Sequence, residues 1–193
     1  MTAAAATTAA DSALLRTEAL TLRFGGVVAA DGIDFRLERN EHLAVIGANG
    51  AGKTTFINLC TGYLRPSSGR VFLQGRDITG LGPRQITRLG VGRSFQLPQL
   101  FMEHDVRQCL ELACVGRDGT RSRLRPMAAT ADRRAVDEML ELVDLAPHAD
   151  APVTALPEGH RKLLDVAIAL MLRPQLVIMD EPTIGVSSED KHA

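Results

Sequence analysis

The rhythm of apolar and polar positions changes several times along the chain. Short apolar segments at Leu20–Phe24 and Gly32–Leu37, separated by Gly25-Gly26, predict two strands joined by a turn. Leu43-Ala44-Val45-Ile46 is a continuous apolar run between charge and Gly47, the pattern of a buried parallel strand. Small residues follow, then Lys53–Cys60, which is helix-compatible. Turn signals across Pro66–Gly80 surround a strand at Arg70–Leu73, and a short helix near Arg84–Leu89 leads into a strand at Val91–Phe95. The second half is more helical. Val106–Cys114 predicts one helix, ending near Gly116, and Arg133–Leu145 another, with Val136, Met139, Leu140 and Val143 at i, i+3, i+4 and i+7. Arg161–Leu172 is apolar nearly all round and so is predicted to be buried. Pro174 ends it, and Leu176–Met179 forms a second buried strand that runs into Asp180-Glu181-Pro182.

Composition narrows what these elements serve. With 45% hydrophobic and 23% charged residues, the 193-residue chain has a globular profile rather than a disordered one. Its 22 Lys+Arg against 23 Asp+Glu argue against a general polyanion binder. No apolar run approaches the roughly 18 residues of a membrane span. The Ala/Thr-rich start lacks a positive segment and predicts a disordered leader over 1–17 rather than a signal peptide, with one domain from 18 to 193. Cys60, Cys109 and Cys114 are too few and too oddly spaced for a disulfide framework, which predicts buried thiols in a reducing cytosol. The histidines are scattered, with no pair at the i, i+4 ligand spacing. Segment Arg117–Thr130 holds Arg117, Arg121, Arg123 and Arg125 with no aromatic between them. A solvated insertion fits it, as does docking to a protein or to anionic headgroups; nucleic acid, which wants stacking aromatics, does not. Lysine occurs only at 53, 162 and 191.

Two motifs carry chemistry. Gly47-Ala48-Asn49-Gly50-Ala51-Gly52-Lys53-Thr54, followed by Thr55, matches the phosphate-binding loop pattern between a predicted strand and a predicted helix. Its glycines let successive N–H groups point inward at phosphate oxygens, and the helix N-terminus adds partial positive charge. Lys53 suits the β- and γ-phosphates of a nucleotide, and the Thr54 hydroxyl suits Mg²⁺. The second motif is the strand Leu176–Met179, which delivers Asp180 and Glu181 at its carboxyl end, where ligands collect in open α/β sheets. Asp180 suits the outer shell of that Mg²⁺, and Glu181 suits a water attacking the γ-phosphate. Two acids before a proline are a weak signal alone and a strong one beside the Lys53 loop.

From about Leu20 onward the chain resembles the ATP-binding subunits of ABC transporters. Phe24–Gly32, Gly75–Leu81 and Leu89–Gln96 look most like the branched-chain (hydrophobic) amino-acid importers. The resemblance implies an α/β P-loop NTPase with a mixed sheet, an antiparallel β subdomain and a helical subdomain at about 100–165. It also implies ATP and Mg²⁺ as cofactors. Phe24 matches the aromatic that stacks on adenine, although a core-facing strand residue fits it too. Gln96 matches the glutamine that touches Mg²⁺ and the attacking water, making Lys53, Gln96 and Glu181 the catalytic candidates and Thr54, Gln96 and Asp180 those for the metal. Leu156-Pro157-Glu158-Gly159-His160-Arg161 aligns with the signature that caps ATP on the opposite subunit, so Gly159 would act in trans. Pro157 replaces its serine and His160 its glutamine, losing a hydroxyl and an N–H, and His160, Arg161 and the helix dipole would compensate. Ser187 stands where an acid or amide is usual.

Partners implied are transmembrane permease subunits, a second ATP-binding subunit and, indirectly, a solute-binding protein, at the cytoplasmic face of the membrane and without nucleic acid. The family's switch-loop histidine lies a few dozen residues past the Glu181 position, and the chain stops at Ala193 with His192 in a polar tail. The expectation is therefore an ATPase motor incomplete at its C-terminus. The alternatives are a nucleotide-binding module with little turnover and a soluble ABC ATPase outside transport.

Overall fold

Gly25-Gly26 does turn the chain: strand β1 (Leu15–Phe24) passes directly into antiparallel β2 (Val27–Leu37) through the facing pair Phe24 and Val27. The computed structural model describes residues 13–95, 98–118 and 132–180 and divides into two units between Arg88 and Leu89. In the first unit β3 (Ser68–Leu73) pairs antiparallel with the other edge of β1, and the short β4 (Arg76–Asp77) completes the order β2-β1-β3-β4. Leu15, Leu20, Leu22, Val71 and Leu73 are buried from this sheet. Helix α1 (Lys53–Cys60) buries Phe56, Leu59 and Cys60, and Phe56 meets Phe35 of β2 edge-on with ring centroids 5.0 Å apart. The short α2 (Pro83–Arg88) contributes Ile86 to the buried set.

Two expectations for this unit need correction. The leader was expected to end at residue 17, but Ala13, Leu14, Leu15 and Thr17 are buried and β1 begins at Leu15. Those residues earn their order by pairing on both edges, Leu15 with Leu37 and with Leu73. The second correction is larger. Leu43–Ile46 is neither a strand nor buried: it joins no ladder among the described residues, and Ile46 is 92% exposed. An apolar run records what is favourable to bury, whereas a ladder needs another strand alongside, and that requirement is not local.

In the second unit β5 (Val91–Ser94) and β6 (Leu176–Met179) pair in parallel, from Val91 with Leu176 to Ser94 with Met179. The helices are α3 (Val106–Asp118), α4 (Arg133–Leu142) and α5 (Glu158–Met171), with single 3₁₀ turns at Ala146–His148 and Val153–Ala155. Asp132 caps α4, its side chain accepting from the Ala135 N–H at 3.2 Å. Val106, Leu110, Val136, Leu140, Leu145 and Leu164 belong to one core drawn from all three helices. Helix α5 starts three residues before the expected Arg161 and packs on β5 where Gly92 leaves room; a Cβ there would come 3.0 Å from Pro174 and 3.2 Å from the Ala169 carbonyl. Arg121, Arg123 and Arg125 lie outside the described residues.

The three thiols are buried, as expected. Burial pushes Cys60 up from 9.0 to about 12, and chiefly burial pushes Cys109 up from 9.0 to about 11. The folded thiols hold their protons more tightly than the unfolded ones. Their contribution to stability is therefore full below about pH 9 and falls as pH rises towards 11 to 12. Denaturation midpoints should hold level up to about pH 8.5 and then fall towards pH 10.5, and Cys60→Ala should lessen that fall. An equal slope in wild type and variant would count against it.

Candidate functional site

The segment 47–54 has the backbone of an anion cradle. Gly50 and Gly52 adopt φ of 80° and 87°, in the left-handed region that favours glycine. A Cβ on Gly52 would also come 2.9 Å from the Ala29 carbonyl oxygen of β2. Ala51 N–H donates to the Ala48 carbonyl at 3.1 Å, closing the loop, and Phe56 N–H donates to the Gly52 carbonyl at 2.8 Å, opening the helical ladder. No side chain caps α1, so its first N–H groups and the positive end of its dipole are offered to an anion. Lys53 Nζ donates to the carbonyls of Gly47 at 2.7 Å and Ala48 at 3.0 Å, which folds the ammonium over the loop. Thr54 is exposed and Thr55 half-buried in the first turn of α1. The residues fit a polyphosphate: backbone donors, a helix terminus and a mobile-headed cation converge on one loop.

Phe24 ends β1 and is 54% exposed, with Val27 and Val28 exposed beside it across the hairpin. Of the two roles open to it, a buried strand position is excluded and an exposed aromatic face remains.

In the second unit Asp180 follows β6 directly and is 4% exposed. It therefore stands at the carboxyl end of a parallel pair. Its carboxylate is a hard oxygen donor, the chemistry that Mg²⁺ requires. Gln96, Glu181, Ser187 and His192 lie outside the described residues.

The signature-like segment forms the start of α5. Pro157 is its N-cap residue, without a capping side chain, and Glu158, Gly159 and His160 make its first turn. The His160 ring packs against His148 with centroids 4.9 Å apart, and Arg161 donates from its guanidinium to the Thr154 carbonyl at 2.8 Å. Arg161 thus has a hydrogen-bond partner within its own unit, whereas the buried His160 Nδ1 has none there among the described residues. The His148–His160 contact had no local signal, because the two residues lie on different elements. The sequence does carry a signal in α5: Lys162 and Asp165, three apart in a mostly apolar helix, are both buried.

A glycine-shaped loop, a lysine folded over it and an uncapped helix behind it define a P-loop nucleotide-binding protein. The family model described as ABC transporter matches residues 30–184. The chain belongs to the ABC transporter ATPase family, of the branched-chain amino-acid type. It is 33% identical over 92% of its length to the high-affinity branched-chain amino acid transport ATP-binding protein BraF of Pseudomonas aeruginosa, spanning 72% of that relative. It is 35% identical over 93% of its length to the probable branched-chain amino acid transport ATP-binding protein LivG of Archaeoglobus fulgidus, again spanning 72%. Among solved structures, a nucleotide-free ATP-binding cassette from an ABC transporter superposes with a TM-score of 0.75 at 30% identity, over 91% of this chain and 71% of that one. The cbiO1 protein of Clostridium perfringens, part of an ABC transporter complex, gives 0.73 at 30% identity, over 91% and 68%. The α/β P-loop expectation and the resemblance are borne out. Among the described residues no helix is long and apolar enough to cross a membrane.

Proposed function

We propose that this chain is the ATP-hydrolysing subunit that energises a membrane permease importing branched-chain amino acids or a related small solute. The loop built on Gly50, Gly52 and Lys53 carries the reading, and the names of the relatives support the solute class. Loop N–H groups and Lys53 hold the phosphates, with Gly47, Ala48, Asn49, Ala51 and Thr55 supplying the rest of the cradle. Thr54, Asp180 and Gln96 are the proposed magnesium residues, and bound Mg²⁺ would neutralise charge on the β- and γ-oxygens. Gln96 and Glu181 orient the water, with Glu181 accepting its proton. Gly159 and the N-terminus of α5 serve the nucleotide of a second ATP-binding subunit. The chain meets the permease, and only indirectly a solute-binding protein, at the cytoplasmic face of the membrane.

Phosphate release tests this directly. The full chain should release phosphate from ATP with Mg²⁺ and none with EDTA; silence in Mg²⁺ would overturn the assignment. Phe24→Ala should weaken ATP binding roughly tenfold, the loss of one base-stacking contact, while kcat stays near wild type. An unchanged affinity would remove Phe24 from the adenine site.

A further inference from the structure

The buried charges of α5 grip the ends of two strands. Lys162 is 3% exposed, and its Nζ donates to the backbone carbonyl of Phe95 and, at 3.4 Å, to that of Asp180. Asp165 is 5% exposed, and its carboxylate accepts the N–H of the same Phe95 at 2.8 Å. The ladder between β5 and β6 ends at Ser94 and Met179, so Phe95 and Asp180 are the first residues beyond it. Past Ser94 and Met179 the ladder no longer sets the separation of the two strands. Lys162 supplies that link from a side chain, and Asp165, one turn away on the same helix face, accepts the backbone N–H of Phe95.

A buried ammonium is costly unless its protons are taken up, and here carbonyl oxygens accept them. A neutral apolar side chain would fill the volume but remove the link between the Phe95 and Asp180 carbonyls. We propose that Lys162 and Asp165 are positioning residues: together they set the carboxyl end of β6 so that Asp180 is presented for the nucleotide-bound divalent metal. The inference rests on the proposed role of Asp180. It places this task on a helix whose first turn is the signature-like segment, so the element meant to meet a second subunit also sets the metal carboxylate of its own chain.

Two measurements on the full chain decide it. The first is Mn²⁺ binding by electron paramagnetic resonance in the presence of a non-hydrolysable ATP analogue. The second is fluorescent-nucleotide affinity in EDTA. Lys162→Met should weaken Mn²⁺ binding about tenfold, the size seen when a residue supporting a metal ligand is removed, and lower kcat in proportion. Nucleotide affinity in EDTA should stay within about twofold of wild type, and Lys162→Arg should restore most of the metal affinity. An unchanged Mn²⁺ curve in Lys162→Met would overturn the inference, as would equal loss of nucleotide affinity in EDTA, the mark of general damage. Should Lys162→Met not fold, Lys162→Gln decides by the same two curves. A wild-type chain that hydrolyses no ATP would instead overturn the proposed function, which separates the two failures.

Discussion

Lys53→Ala is expected to abolish measurable nucleotide binding while leaving the fold intact. The ammonium donates to the exposed carbonyls of Gly47 and Ala48, which water can satisfy once it is gone, so the loop loses little stability. The phosphates lose a charge-assisted partner that no other lysine is placed to replace; the others are Lys162, buried in α5, and Lys191. Removing one member of such a pair costs about 2–5 kcal/mol, a factor of roughly 30 to several thousand in affinity. Fluorescent-nucleotide titration beside a thermal melt separates affinity from folding. Undiminished affinity would sink the phosphate-loop assignment. In cells, the same substitution should reduce uptake of leucine, isoleucine and valine to background, and unaffected uptake would break the link to import.

Glu181→Gln should do the opposite: bind ATP normally and turn over very slowly. The amide matches the carboxylate in shape but cannot take the proton of the attacking water, and general-base catalysis is worth about 10²–10⁴-fold. Single-turnover phosphate release should fall by that order while nucleotide affinity holds. Near-normal turnover would remove Glu181 as the base. Asp180, its neighbour, should behave differently, because a metal carboxylate shows itself in the magnesium dependence first.

What was legible in the sequence was what neighbours along the chain determine. Gly25-Gly26 announced the hairpin, the spacing of Val136, Met139, Leu140 and Val143 announced α4, and the glycine-lysine loop announced its own backbone angles. The errors share another origin. Leu43–Ile46 is apolar enough for a central strand, yet no partner strand pairs with it among the described residues. Ala13–Thr17 looks like the tail of a leader but is held by two strands distant in sequence. Helix α5 reads as apolar nearly all round, and the polar groups it buries are explained by two strand ends, one about 70 residues away and the other 18. Pairing partners, not composition, made these differences.

The burial of Cys60, Cys109 and Cys114 has a practical side. With Cys60 ionising only at about 12 and Cys109 at about 11, maleimides and spin labels find almost no thiolate there at neutral pH. With all three thiols buried, thiol probes should find little to react with even when no cysteine is removed. One cysteine placed at an exposed position such as Glu141 on α4 would then report alone, and a label there can follow the helical region through each stage of the nucleotide cycle.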